Sequence, residues 1–210
     1  MLPQLRDLLP TILLKNGIQA SEKQREQWIA HLELITKWHR IVNLTAILDS
    51  REMIDLHLID SLTLLPFLHG TRLIDIGSGA GLPGIPLAIM EPAKKWVLLE
   101  KNSKKSRFLV QVIAELGLTN VEVQCARVQD FHPALGFDTI LARAFTDLNN
   151  FLTWTSHLLG PDGRFIAMKA RITQEELTNI SDEFVLMQSS AVSISGRDVE
   201  RHILSFTKKR

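Results

Sequence analysis

The sequence predicts an α/β protein: a mainly parallel seven-stranded sheet with an antiparallel edge strand, preceded by an N-terminal helical extension. Three observations carry this expectation. As far as about Leu68 apolar residues recur at helical spacing, as in Trp28, Leu32, Ile35 and Trp38. After Gly70 short apolar runs alternate with helical stretches, the pattern of βαβ units. One of those runs, LIDI at 73–76, ends directly in a cluster of glycines before another helix.

The elements follow in order. Ser21 and Asp49 stand where helix N-caps belong. Strands are expected in RLIDIG (72–77), KWVLLE (95–100), VEVQCA (121–126) and FDTILAR (137–143). A turn at Gly160, Pro161, Asp162 and Gly163 should lead into RFIAMKA. After a helix near Gln174–Ile180, the runs EFVLMQSSAV and ERHILSFTKK should form an antiparallel hairpin at the sheet edge. Gly70 is the seam, giving an extension of residues 1–70 and a core of residues 71–210.

At 210 residues and 45% hydrophobic content the chain can close one sizeable core. Its 24 basic and 23 acidic side chains leave a formal charge of +1, which excludes the strongly basic body of a non-specific nucleic-acid coat. A polyanionic partner must be met by a local patch. Cys125 is the sole cysteine, so an internal disulfide and a multi-cysteine zinc site are both excluded; its apolar run makes it a buried core thiol rather than a nucleophile. The seven histidines show no HExxH spacing, and no metal is expected. The opening segment does not read as a secretory signal, and no apolar run reaches the roughly 18 residues of a membrane span. A soluble, cytoplasmic protein without a membrane partner is the expectation.

The sharpest signal is LIDIGSGAGLPGIP, residues 73–86. Gly77, Gly79 and Gly81 let the backbone turn tightly off the strand and approach a ligand more closely than a Cβ would permit. Glu100 ends the next strand, 23 positions after Gly77, where an acid can accept hydrogen bonds from two ribose hydroxyls. Loop and acid together fit an adenosine cofactor. Gly79, Gly81 and Gly84 formally satisfy the GxGxxG spacing of dinucleotide enzymes. However, the strand meets Gly77 first, and Pro83 and Pro86 crowd the helix start that should hold a pyrophosphate. Asp75 inside the strand followed by GxGxG reads instead as S-adenosylmethionine binding on a Rossmann-like sheet. Nicotinamide or flavin binding, and a purely structural glycine turn, are the competing readings.

More of the chain then resembles one family. NLT at 43–45, HLIDSL at 57–62, IDIGSGAGLPGIPLAI at 74–89, LLE running into KKSRFL at 109, FDTILARAF at 137–145 and ERH at 200–202 resemble the bacterial ribosomal RNA small subunit methyltransferase G family. The resemblance implies methyl transfer from S-adenosylmethionine to N7 of a guanine in the decoding-region loop of 16S ribosomal RNA, with the small ribosomal subunit as partner. It places cofactor contacts at Gly77, Leu82, Val128, Gln129 and Arg143. The sequence departs from the family pattern at Glu100, more often Asp; at Gln129, usually acidic; and at Ala170, where glycine is typical.

Guanine N7 carries a free lone pair at neutral pH, so its attack on a sulfonium methyl needs no base, and none is assigned. Positioning of the reactants should dominate, supplying on the order of 7 to 11 kcal/mol of the barrier. Between Lys94 and Arg107 six of fourteen residues are basic. Of these, Lys101, Lys104, Lys105 and Arg107 are candidate RNA contacts, with Lys169, Arg197 and Arg201 as further ones; a solvated helix face is the plainer reading of the first group. His57 and Asp60, three apart on an expected helix, should form a hydrogen-bonded structural pair. Trp28 and Trp38 read as core rather than as base-stacking platforms. The residues alone leave open a small-molecule or protein methyltransferase, or a non-catalytic RNA-binding assembly module.

Overall fold

A computed structural model describes residues 2–143, 147–198 and 200–209. The lead-in is helical, as expected. Helix α1 spans Leu2–Lys15 and α2 spans Glu22–His39. Ser21 caps α2 in a reciprocal capping box with Gln24. Asp49 accepts from the Glu52 amide at 3.0 Å and starts α3 (Ser50–Met53), which runs into a π-helical segment, Ile54–Ile59, and then α4 (Asp60–Leu62).

The strands are β1 (Arg72–Ile76), β2 (Lys95–Leu99), β3 (Val121–Gln124), β4 (Phe137–Arg143), β5 (Leu159–Lys169), β6 (Phe184–Ser193) and β7 (Glu200–Lys208). They form one sheet in the order β3-β2-β1-β4-β5-β7-β6. Pairing is parallel from β3 to β5, and β7 lies antiparallel between β5 and β6. The expected hairpin is present, with its second strand inserted inside the sheet and its first at the edge. One local expectation fails. Gly160–Gly163 do not form a separate turn but lie within β5, as a bulge between the Phe137–Leu159 and Thr139–Arg164 pairings. The backbones meet there too closely for side chains: a Cβ on Gly136 would stand 2.7 Å from Gly160.

Alternate residues of the central strands feed two hydrophobic layers, as the pleat requires. Leu73, Trp96 and Leu98 face a layer shared with α1, α2, α5 (Gly84–Met90) and α6 (Ser103–Leu116). Ile74, Val97 and Leu99 face the other, with Phe151 and Leu152 of α7 (Leu148–Thr155). Trp28 is fully buried and Trp38 packs edge-on against Phe108, 5.8 Å between ring centres, so both tryptophans serve the core. Cys125, expected in the core, is exposed. Strand β3 ends at Gln124 on a sheet edge, so the following residue falls outside the layers.

Candidate active site

The chain order reverses between β1 and β4, and at such a switch point the carboxyl ends of the strands leave a crevice. Two cavities lie along that edge. One, of about 500 Å³, spans the ends of β1, β2 and β3 and is lined by Ile76, Gly77, Glu100, Val128, Gln129 and Trp154, among others. The second, of about 540 Å³, lies past β4 and β5 and is lined by His57, Asp60, Arg143, Lys169, Arg171 and Arg201, among others.

The first cavity is organised by backbone contacts of the glycine loop. The Gly77 amide donates to Leu99 O at 2.8 Å, so the loop leaves β1 against the end of β2. Gly77 has φ +71°, and a Cβ there would meet nothing within 4 Å: the loop presents bare backbone to open space. Buried Asp75 holds the start of α5 by accepting from the Gly84 amide at 3.0 Å, and burial pushes its carboxyl up to about 6. Glu100 is buried and braces the loop, its Oε2 accepting from the Gly79 amide at 3.0 Å and its Oε1 from the Asn102 amide at 2.8 Å. A carboxylate has about four lone-pair sites. Both oxygens therefore keep capacity for a further donor each.

The second cavity is built from side chains that are distant in sequence. Buried Asp60 accepts from Arg201 Nε at 2.8 Å and from an Arg143 guanidinium nitrogen at 3.3 Å. One π-helical turn earlier, beside the cavity, buried Asp55 accepts from Arg197 Nε at 2.7 Å and, within its own helical run, from Arg51 Nε at 3.1 Å. Lys169 pairs with Glu176. The expected His57–Asp60 pair is not the one formed: the Asp60 amide reaches back to Asp55 O, the five-residue step of a π-helix, and the two side chains take different partners. His57 Nε2 lies 2.9 Å from Thr45 Oγ1, and burial with Arg143 nearby lowers its pKa to about 4, so the ring is neutral at physiological pH.

Of the residues expected at the cofactor, Gly77, Glu100, Val128 and Gln129 meet at the first cavity. Gly79 stands behind Glu100, Gly81 and Leu82 are packed into the layer with α2, and Arg143 lines the second cavity. Among the expected RNA contacts, Lys101 and Lys105 lie at the mouth of the first cavity, while Lys104 and Arg107 are exposed nearby. Lys169 and Arg201 line the second cavity, and Arg197 is held by Asp55. Sequence reasoning missed Trp154, which reaches the first cavity from α7 and carries no local motif. It also missed Asp55, whose nearer partner Arg51 stands at ordinary helical spacing but whose second partner, Arg197, is 142 positions away.

Fold and loop define the class: a Rossmann-like methyltransferase that takes S-adenosylmethionine. Solved structures share the fold, among them a substituted MtNAS in complex with S-adenosylmethionine (TM-score 0.56, 18% identity, 90% of this chain and 73% of that one). M. jannaschii TYW2 in complex with AdoMet is a second (TM-score 0.54, 20% identity, 72% and 76%). Residues 24–204 match the rRNA small subunit methyltransferase G family, and the chain belongs to that family. Ribosomal RNA small subunit methyltransferase G of Nitrosococcus oceani is 42% identical over 204 residues, covering 97% of this chain and 95% of that one. The namesake from Pseudomonas syringae pv. syringae is 43% identical over 202 residues, covering 96% and 94%.

Proposed function

We propose that the chain transfers a methyl group from S-adenosylmethionine to N7 of a guanine in 16S ribosomal RNA, acting on the small ribosomal subunit in the cytoplasm. Family membership supports the reaction, and the observation that carries the site is the adjacency of the two cavities along one sheet edge. No helix among the described residues is long and apolar enough to cross a membrane. In this reading residues 1–70 remain an extension of the core formed by 71–210.

The first cavity suits the cofactor in size, since small-molecule sites run to roughly 300–1,000 Å³. Glu100 has acceptor capacity for the ribose, Val128 and Gln129 bound the adenine side, and the bare backbone at Gly77 admits close approach. Gln129 brings an amide where the family usually has a carboxylate, and an amide oxygen can still accept from an adenine amine. When bound, S-adenosylmethionine supplies a sulfonium methyl, an electrophile that guanine N7 can attack directly.

The second cavity takes the acceptor. Arg143, Arg201 and Arg171 offer donors for a backbone phosphate or for guanine O6, and Asp60 offsets part of their charge, which favours a guanine that becomes cationic as N7 is alkylated. Neutral His57 adds no charge beside it. On this account the residues orient the reactants and exclude water, and no side chain removes a proton. Incubation with methyl-labelled S-adenosylmethionine and small subunits lacking the modification should yield labelled 7-methylguanosine. Label in another nucleoside, or none in RNA despite cofactor binding, contradicts the proposal.

A further inference from the structure

We propose that helix α2 is part of the cofactor machinery and that His31 is a positioning residue for the glycine loop, an inference that rests on reading that loop as the S-adenosylmethionine site. Gln24, Trp28 and His31 form one stripe of α2, at helical spacings of four and three. Each meets a backbone carbonyl in the loop and the helix after it. His31 Nε2 lies 2.8 Å from Ala80 O, Trp28 Nε1 donates to Pro86 O at 3.2 Å, and Gln24 Nε2 donates to Ile89 O at 3.2 Å.

The first of these contacts lies inside the loop. A carbonyl can only accept, so the hydrogen of His31 sits on Nε2 and the ring donates. Burial lowers the His31 pKa to about 4, leaving a neutral imidazole at physiological pH. The ring also closes on Gly81, where a Cβ would stand 3.3 Å from His31 Nε2 and 2.6 Å from Ile85 Cγ1. Neighbouring residues of the loop are thus held from opposite sides. Glu100 takes the Gly79 amide on the cavity side, and His31 takes the Ala80 carbonyl from behind. Burying an imidazole costs desolvation that a leucine would avoid, so a helix that only packed would gain nothing from it. The hydrogen bond to the loop accounts for its presence.

The test titrates S-adenosylhomocysteine into the full chain and measures melting temperature in parallel. His31→Ala should weaken binding about tenfold, the equivalent of one lost hydrogen bond. His31→Gln, which keeps an N–H near the position of Nε2, should stay within about threefold of the unsubstituted chain. Trp28→Phe, whose lost bond lies farther along α5, should have a smaller effect than His31→Ala. If His31→Ala does not fold, His31→Asn replaces it, with a polar group too short to reach Ala80. Unchanged affinity at a lowered melting temperature would make His31 a packing residue and overturn the proposal, as would His31→Gln binding as weakly as His31→Ala. An unsubstituted chain that bound no S-adenosylhomocysteine would instead overturn the reading of the loop, and this inference with it.

Discussion

The two halves of the crevice are made in different ways. Over β1–β3 the site is organised by a glycine loop whose amides are tied to Glu100 and Leu99, with bare main chain at Gly77 and side chains such as Glu100, Val128 and Gln129 around it. Over β4 and β5 it rests on ion pairs: buried Asp60 holds Arg143 and Arg201, 83 and 141 positions away, and beside the cavity buried Asp55 holds Arg197, 142 positions away, and Arg51, four positions away. A main-chain site needs glycine at particular positions and tolerates little else. An ion-pair site needs only that charges from separate elements converge, and it depends on the whole fold for its shape.

Substitutions should separate the halves, with the largest effect at Asp60. Asp60→Ala leaves Arg143 and Arg201 facing one another without their shared carboxylate, and should destabilise the chain by on the order of 3 to 5 kcal/mol in denaturant unfolding. A loss below about 1 kcal/mol, the worth of a surface pair, would mean that these ion pairs do not hold the second cavity together.

Acid sharpens the contrast next. His31 and His57 have pKa values lowered to about 4 in the fold, so below about 6.5 the unfolded chain takes up protons that the folded chain refuses, and stability falls as pH drops from 6.5 toward 4. For His31 this amounts to on the order of 3 kcal/mol. Asp75 acts with the opposite sign: its pKa is raised to about 6, so its contribution to stability is present at low pH and lost as pH rises from about 4 to 6. Unfolding followed against pH should therefore show a shallower acid loss for His31→Gln and a steeper one for Asp75→Asn. The smallest effect belongs to the rim. Replacing Lys101 and Lys105 by Ala should weaken RNA binding modestly and reduce the slope of log affinity against log salt by about one per lysine.

The same division explains what was legible in the sequence. The glycine loop, the acid at Glu100 and the alternation of strands and helices are local patterns, because each is set by backbone conformation or by which face of a strand is buried. Ser21 and Asp49 were readable as caps for the same reason. Cys125 was misplaced because an apolar run does not reveal where an edge strand ends, and the Gly160–Gly163 turn was misread because a bulge and a turn share residue types. His57 and Asp60 were spaced for an α-helix, while the segment winds as a π-helix. The resemblance set Arg143 among the cofactor contacts, and the fold turns it toward Asp60 and the other cavity. His31 carries no motif at all, since its partner is a carbonyl 49 positions away.

Arg143 is also where the account is most directly tested. S-adenosylhomocysteine and unmodified 16S ribosomal RNA would be titrated separately into Gly77→Val and Arg143→Ala. A branched side chain at φ +71° both strains the loop and enters the first cavity, so Gly77→Val should bind the cofactor product about a hundredfold more weakly or worse and keep its RNA affinity. Arg143→Ala, in which Asp60 still has Arg201, should do the reverse. If Arg143→Ala lost the cofactor product and kept the RNA, the division of the crevice into a cofactor half and an acceptor half would be wrong.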